Sequence, residues 1–178
     1  MAYYQIRGRK VPLFHNLRKG TLHMTDIQKI IETAERKLQG SDMFVVGCTC
    51  SPGNEIELLI DSDTSVSIDA CAELNRALEA ELDREEEDFS LTVASAGIGS
   101  ELKCMRQYRK LVGKSVEVLL SSGIKITARL DAVDEAGITL SYEEKQTVEG
   151  KKRKQLVTVT RTYPFAEIKS TREYLDFK

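Results

Sequence analysis

The hydrophobic period of this 178-residue chain changes once, near residue 100, and this change constrains the fold more than any other feature. Before it, two segments carry apolar residues at the i, i+3, i+4 spacing of an amphipathic helix, and short strand-like runs lie between and after them. After it, apolar and polar residues mostly alternate, as in half-buried strands. The stretch TVASAGIGSEL, residues 92–102, separates the two patterns. The sequence therefore predicts two domains of different architecture.

The first helix of the first half is predicted from Thr25. Thr25 followed by Gln28 is the pattern of a capping box, and Gly40 supplies a stop. Residues 43–50 and 55–61 are predicted to be strands, joined by the turn Ser51-Pro52-Gly53-Asn54. One helix face carries the apolar residues Ile27, Ile30, Ile31, Ala34 and Leu38.

Ser67 is predicted to cap a second helix, with Asp69 in its first turn, where a negative charge is favourable to the helix dipole. An acidic loop, residues 85–88, leads to a third strand at residues 89–95. The buried stripe of this helix is expected to be Cys71, Leu74, Leu78 and Leu82. The first half thus predicts an α-β-β-α-β unit with its helices on one face of a small sheet.

The second half is predicted to be a small closed or partly open β-barrel. A short helical connection at residues 108–112 ends at Gly113, and strands alternate on either side of a Ser121-Ser122-Gly123 turn. Residues 156–162 and 165–168 supply the last two predicted strands. The inward positions of the first three strands are expected to be Val116, Val118, Leu120, Ile124, Ile126, Ala128, Leu130, Ile138, Leu140 and Tyr142.

Charge is divided between the two halves. Residues 24–105 hold 6 basic and 18 acidic residues, a net of −12, whereas residues 106–178 hold 15 and 10, a net of +5. Residues 1–23 hold five basic and no acidic residues and show no sustained periodicity, so we expect a disordered or non-native leader, with a real basic arm as the alternative. Such asymmetry indicates halves with different electrostatic partners.

The junction does not have the features of a phosphate-binding loop. Gly97-Ile98-Gly99 lacks the third glycine of the dinucleotide motif, and no Walker lysine follows it. Glycines that allow positive φ suit an interdomain turn better, so Gly97 and Gly99 are the predicted hinge.

Catalysis and metal binding have little material in this sequence. The only histidines, His15 and His23, fall in the leader, and the four cysteines lack C-x-x-C spacing. Cys104, beside Lys103 and Arg106, is the one candidate nucleophile, although such a residue is more often a small packed side chain. We expect no enzyme activity, no metal and no cofactor. No signal peptide is recognisable and no apolar run approaches the roughly 20 residues of a membrane helix, which favours reduced thiols and a cytoplasmic location.

Nucleic-acid binding has better support. Lys151, Lys152, Arg153 and Lys154 form a cationic run at the tip of a predicted hairpin, where clustered charge gains affinity by releasing counterions from phosphates. Arg106, Arg109 and Lys110 extend this candidate RNA contact. A solvated turn is the alternative interpretation. No aromatic platform of the RNP type is present, so base-specific readout is not indicated.

These features, in their order and spacing from about Thr25 to Thr171, resemble the bacterial ribosome maturation factor RimP family. The family's I-D run, short loop and D-D-C motif are similar to Ile60-Asp61-Ser62-Asp63 and Val66-Ser67-Ile68-Asp69-Ala70-Cys71. Its junction, V-S-S-P-G-L-D-R-P-L, aligns with residues 93–102, and its F-x-G-x-x-V entry aligns with residues 108–116. Here Ala96, Gly99, Ser100 and Glu101 replace the family's Pro, Asp, Arg and second Pro, which implies a looser hinge.

The resemblance implies an α+β fold: a leader (1–23), an acidic α/β domain (24–103) and a basic SH3-like (Sm-like) barrel (104–178). It implies a monomeric assembly factor that binds the immature small (30S) subunit and promotes its maturation without catalysis. The family promotes folding of the central rRNA and helps a basic ribosomal protein near the decoding centre to join. Asp61, Asp63 and Asp69 are the implied contacts to that protein. A general Sm-like RNA-binding protein, forming rings on free RNA, is the alternative.

Overall fold

The secondary structure is mixed α and β, which confirms the predicted α+β class. The computed structural model describes residues 3–6, 9–12, 24–82, 89–146 and 155–175. Apart from the leader, the chain divides into two units between Gly97 and Ile98. This division lies within the predicted hinge rather than between residues 103 and 104.

The leader departs from the expectation that it lacks ordered structure. Strands β1 (Tyr3–Ile6) and β2 (Arg9–Pro12) form a two-stranded sheet. These four-residue segments, Tyr-Tyr-Gln-Ile and Arg-Lys-Val-Pro, do not alternate and are too short for hydrophobic periodicity to predict a strand. The rest of the leader lies outside the described residues.

The first unit has the predicted order of two helices and three strands. Helices α1 (Met24–Lys37) and α2 (Ile68–Glu79) accompany a sheet of order β3-β4-β5, made by β3 (Met43–Cys50), β4 (Glu55–Ser62) and β5 (Ser90–Ser95). Strands β3 and β4 pair antiparallel across the predicted turn, and β4 pairs parallel with β5. The predicted apolar face of α1 is buried in one core with alternate residues of β4 and with Leu74 and Leu78 of α2.

The caps of these helices are partly as predicted. The Ser67 hydroxyl accepts a hydrogen bond from the Ala70 amide at 3.1 Å, and Gly40 ends the turn after α1 with φ +83°. The capping box at Thr25 stays a prediction, because the Thr25 side chain lies outside the described residues. Helix α1 is assigned from Met24, and the side-chain amide of Gln28 donates to Glu32 Oε1 at 2.9 Å, one turn onward.

The second unit is built on one five-stranded sheet. Its order is β10-β6-β7-β8-β9 and every neighbouring pair is antiparallel. The strands are β6 (Ser115–Leu120), β7 (Lys125–Val133), β8 (Gly137–Gln146), β9 (Gln155–Pro164) and β10 (Ile168–Glu173). Alternate residues of these strands, with Tyr108 and Phe165 in edge-on ring contact at 5.3 Å, form the core.

Three predictions for this unit are corrected. Helix α3 (Met105–Lys110) starts before residue 108, because the Gln107 side chain accepts the Lys103 and Cys104 amides and so closes its first turn. Residues 165–167 form a 3-10 turn rather than a strand, and β10 runs on to Glu173. Ile124 lies in the turn before β7 with 58% of its surface exposed, so the alternation begins at Ile126.

Candidate functional site

Helix α3 presents the three predicted basic residues on one face. Arg106, Arg109 and Lys110 are spaced i, i+3 and i+4, so their side chains leave the same side of the helix. Tyr108 and Leu111, on the other side, are buried in the core of the second unit. Arg109 is exposed, while Arg106 and Lys110 are half-buried. The structure therefore brings these three cations together, and the last two also lie where the helix dipole favours positive charge.

Many other cations of the second unit are neutralised by neighbouring carboxylates. Lys125 pairs with Glu117 at 2.8 Å, Arg129 with Asp131 at 2.8 Å and Arg161 with Glu144 at 2.9 Å, and Lys114 lies 3.5 Å from Glu173. In the described part of the unit from Ile98 onward, five cations lack such a partner: Lys103, Arg109, Lys145, Lys169 and Arg172. These five can offer an uncompensated charge to a ligand.

The basic run from Lys151 to Lys154 lies outside the described residues. Its connectivity is nonetheless fixed, because Gln146 at the end of β8 pairs with Gln155 at the start of β9. The run is therefore carried by the eight residues, 147–154, that join these two paired strands. Its role as an RNA contact stays a prediction.

The predicted acidic residues of the first unit do not form a single group. Asp61 and Asp63 lie at the end of β4, where Asp61 Oδ1 accepts the Ser62 amide at 2.8 Å. Asp69 is exposed in the first turn of α2, where its negative charge interacts favourably with the positive end of the helix dipole. Asp42 joins the first two, because the Asp63 amide donates to its carbonyl at 3.2 Å and the Thr64 hydroxyl to its Oδ2 at 2.5 Å.

Asp42 was missed by the sequence reasoning, because its position opposite Asp63 depends on the register of the β3–β4 pair. Met43 pairs with Ser62 in the β3–β4 hairpin, so the residue before Met43 lies opposite Asp63. Pairing the two strands outward from the predicted turn at residues 51–54 gives the correct partner for Met43 only if the one-residue bulge between Val45 and Gly47 is known. That bulge shifts the register by one, and nothing in the sequence announces it.

The predicted hinge residues differ from each other in conformation. Gly99 has φ +79°, whereas Gly97 is not among the described glycines with positive φ. On one side of them the Ala96 amide donates to the Ile60 carbonyl at 2.8 Å. On the other, the Leu102 amide donates to the Thr171 carbonyl at 2.8 Å. Residues 97–101 lie between these two hydrogen bonds, and Glu101 is held by an isolated β-bridge to Arg172.

The candidate nucleophile does not sit in a reactive environment. None of the four cysteines, all of which are described, forms a disulfide, and Cys104 is buried just before α3 with 3% of its surface exposed. Burial is the main cause that raises the pKa of Cys48 to about 12, and the nearby Cys50 and Glu57 raise it further. This thiol therefore stays protonated at neutral pH. Within the described residues, no group of three or more His, Cys, Asp or Glu side chains could hold a metal ion.

Across the described ranges, no helix is both long and apolar enough to cross a bilayer.

On the outer face of the five-stranded sheet, a hydrogen bond from Ser141 is the main cause that lowers the pKa of Asp131, and the neighbouring Arg129 lowers it further. That carboxylate therefore stays charged and keeps Arg129 occupied.

A second feature missed from the sequence is the tyrosine pair of the β8–β9 hairpin. The hydroxyls of Tyr142 and Tyr163 lie 2.8 Å apart, and both rings pack against the core while remaining half exposed. Tyr142 was predicted to point inward, but Tyr163 fell between two predicted strands. Only the continuation of β9 to Pro164 brings the two rings onto one face.

Comparison with known proteins places these features in a family. A family model described as the RimP N-terminal domain matches residues 37–99. A protein of Porphyromonas gingivalis named ribosome maturation factor RimP is 37% identical over 146 residues, covering 82% of this chain and 96% of that protein. Proteins of the same name from Christiangramia forsetii and Flavobacterium psychrophilum are 31% and 30% identical, over 84% and 79% of this chain and 98% and 92% of theirs.

Proposed function

Because the chain belongs to the ribosome maturation factor RimP family, we propose that it is a ribosome assembly factor that binds immature small (30S) subunits and promotes their maturation. The observation that carries this proposal is the similarity to proteins of that name over nearly their whole length. The divided charge of the chain gives the proposal a physical basis, since a small subunit offers both polyanionic rRNA and basic ribosomal proteins.

The second unit is the proposed RNA-facing part. Its face of Arg106, Arg109 and Lys110 on α3, together with the run from Lys151 to Lys154, faces rRNA. Each phosphate that these cations neutralise releases counterions, so affinity falls steeply with salt. Arg109 contributes most on α3, because it is exposed and has no carboxylate partner among the described residues.

This unit is proposed to be an SH3-like (Sm-like) barrel spanning residues 104–178. Strands β9 and β10 lie at opposite edges of the sheet, yet only residues 165–167 connect them. The four steps from Pro164 to Ile168 span at most about 14 Å, so the two edges have to approach each other. Bulges between Leu130 and Ala132 and between Ile168 and Ser170 supply the curvature that closure needs.

The predicted acidic domain, residues 24–103, is the proposed protein-facing part. Its net charge is −12 through residue 105, although Glu81 is paired with Arg36 and Lys37. Its carboxylates, including Asp61, Asp63 and Asp69, therefore present an acidic field to a basic ribosomal protein near the decoding centre. Such complementarity sets approach and orientation more than affinity. The hinge at Gly97 and Gly99 lets each unit meet its own partner.

The proposed mechanism is binding without catalysis, in the cytoplasm, by a monomer and without a cofactor. A factor that binds an immature conformation more tightly than the mature one shifts the equilibrium of the subunit by that difference. Release follows when the mature conformation removes the preferred contacts. The buried Cys104 supports this proposal over an enzyme that uses that thiol.

Cross-linking on purified immature subunits tests which unit meets which partner. Ultraviolet irradiation is expected to attach RNA to residues 104–178, and a zero-length carbodiimide is expected to join carboxylates of residues 24–103 to lysines of a ribosomal protein. A variant with Arg106, Arg109 and Lys110 changed to Gln should lose RNA adducts, whereas a control with Lys29, Lys37 and Arg76 changed to Gln should keep them. RNA adducts confined to the acidic unit would contradict the proposal. Rings in light scattering, with binding to free RNA only, would favour the general Sm-like protein.

A further inference from the structure

Strand β5 is an edge of the three-stranded sheet and lacks the features that usually protect an edge from other strands. The sheet order is β3-β4-β5, so within the described residues β5 pairs with β4 alone. Its six residues, Ser90–Ser95, include no charged residue and no proline, and its register with β4 continues without a bulge. The other edge strand, β3, carries the bulge between Val45 and Gly47, which bends it. An edge without charge, proline or bulge is a template for pairing with another strand.

The backbone groups that face outward from β5 follow from those that face inward. The Ser90 amide donates to the Asn54 carbonyl at 3.0 Å, at the start of the parallel pair with β4. Alternate residues of a strand direct their amides and carbonyls to opposite sides, so those of Leu91, Val93 and Ser95 point away from β4. In the part of the chain that the structure describes, no strand lies on that side. Three residues of β5 can therefore form a backbone ladder with an added strand.

A polar cavity of about 530 Å³ opens beside this edge. Leu58 of β4 and Leu91 of β5 are buried in the core with the helices, so the alternate residues of both strands lie on the other face. Glu57 is the cross-strand neighbour of Thr49 on one side and of Thr92 on the other, and all three are exposed. The cavity offers carboxylate and hydroxyl oxygens, which accept hydrogen bonds from a cationic side chain. The residues that bear these oxygens are Thr49, Ser51, Glu55, Glu57, Ser90 and Thr92.

The two glutamates of the cavity have no cationic partner among the described residues. Glu55 Oε2 accepts a hydrogen bond from the Ser51 hydroxyl at 3.1 Å, and neither Glu55 nor Glu57 forms an ion pair there. They lie within residues 24–105, whose net charge is −12. A second copy of this chain on the same edge would bring these negative charges together, whereas a basic segment complements them. Charge therefore favours a basic partner over self-association.

From this geometry we propose that β5 binds an extended basic segment of a protein as an added strand, with Arg or Lys side chains of that segment at Glu55 and Glu57. This inference rests on the proposed function, which it deepens by naming the surface and the kind of segment that the acidic domain binds. The added strand lies two strand spacings, about 9.6 Å, from β4. Because Ser90 and Thr92 are short, long basic side chains can cross β5 and reach the carboxylates. Backbone hydrogen bonds to the edge supply affinity, and the carboxylates select basic residues.

The test uses the full chain and a peptide of alternating Arg and Val with both ends capped, and it measures amide hydrogen exchange by NMR. With free peptide at about ten times its Kd, the amides of Leu91, Val93 and Ser95 should exchange about ten-fold more slowly. The amides of Thr92 and Ala94, which already face β4, should change less. A matched peptide of alternating Glu and Val should give no protection.

Methylated peptides test for strand pairing itself. Methylation of all Arg amides blocks one edge of the peptide strand, and methylation of all Val amides blocks the other. Since only one edge of the peptide faces β5, one methylated peptide should lose binding and the other should keep it. Equal binding of both would overturn the inference, because attraction by charge alone does not distinguish the two edges.

Charge variants separate the cavity from the general acidity of the domain. Glu55→Gln combined with Glu57→Gln should weaken binding of the Arg-Val peptide about two- to thirty-fold, the range for two exposed ion pairs. The matched control, Glu35→Gln combined with Glu73→Gln, removes the same charge from exposed positions on α1 and α2 and should have little effect. Thermal unfolding checks that each variant is folded. Equal weakening by the two double variants would overturn the inference.

The remaining outcomes separate this inference from the proposed function. Unchanged exchange at Leu91, Val93 and Ser95 with the Arg-Val peptide would overturn the inference, as would equal protection by the Glu-Val peptide. Protection that rises with protein concentration alone would also overturn it and would identify a second copy as the occupant. If the protein still co-sediments with immature subunits in those cases, only the edge site falls. If the edge binds the peptide as expected without subunit binding, the proposed function falls and the edge site stands.

Discussion

Gly137, the first residue of β8, is expected to tolerate no side chain. A Cβ at this position would lie 2.2 Å from the Tyr163 carbonyl oxygen and 2.9 Å from Pro164 Cα, both backbone atoms of the paired strand. Carbon atoms pack best at about 3.5–4.0 Å, so Gly137→Ala would force the strands apart by roughly 1 Å. The clash therefore disrupts the pairing of Gly137 with Pro164 and of Ile138 with Tyr163, at the end of the hairpin farthest from its connecting loop.

The magnitude follows from what this displacement breaks. Overpacking costs about 1–3 kcal/mol, and the bond from the Phe165 amide to the Ala136 carbonyl, 3.0 Å long, is worth about 1 kcal/mol more. We expect Gly137→Ala to lower the free energy of unfolding by about 2–4 kcal/mol. Tyr163 would move with its backbone, so the tyrosine pair should separate as well.

Urea unfolding monitored by circular dichroism measures this change in free energy. The dependence of the unfolding free energy on urea concentration, the m value, should be the same in the variant and the wild type. The matched control is Gly47→Ala in β3, where no heavy atom lies within 4 Å of the added Cβ. There the loss of chain entropy in the unfolded state makes alanine neutral or stabilising by up to about 1 kcal/mol. Equal midpoints for the two variants would refute the argument from close strand approach.

Two further predictions concern a cap and a thiol. Ser67→Ala removes the hydroxyl that accepts the Ala70 amide and should cost about 1 kcal/mol in urea unfolding, whereas Ser65→Ala, outside the helix, should cost nothing measurable. Burial raises the pKa of the Cys48 thiol to about 12, above that of the same thiol in the unfolded chain, so the folded state keeps its proton to higher pH. Its contribution to stability is complete below pH 9 and lost as pH rises toward 12, by up to about 1.4 kcal/mol per pH unit. Cys48→Ala should therefore flatten the alkaline decline in unfolding free energy, and an unchanged decline would show that other groups cause it.

Much of the fold could be predicted because local signals and tertiary packing agree in this chain. Ser67 is a preferred N-cap residue and lies just before an apolar stripe in which Leu74 and Leu78 recur at helical spacing. The same short segment of sequence therefore predicts both the cap and the buried face of α2. The start of α3 could not be predicted in this way. It is set by the buried side chain of Gln107, which accepts the Lys103 and Cys104 amides. The N-cap residue of this capping box is Cys104 rather than the usual Ser or Thr, so the motif was not recognisable in the sequence.

The candidate site was less predictable, because its charges depend on cross-strand register. The sequence shows Arg161 and Glu144 seventeen positions apart, and only the pairing of β8 with β9 brings them within 2.9 Å. The same holds for Asp42 beside Asp63 and for the two tyrosines. The shared face of Arg106, Arg109 and Lys110 was also not evident, because the predicted helix began at residue 108 whereas α3 begins at Met105.

The central claim is that this chain prefers the immature small subunit. Its most direct test is co-sedimentation of the purified protein with immature and with mature subunits over a salt series. The account predicts a higher bound fraction on immature subunits at every salt concentration, with a steep decline as salt rises. Equal binding to both forms, or binding to neither while free RNA still binds, would contradict it.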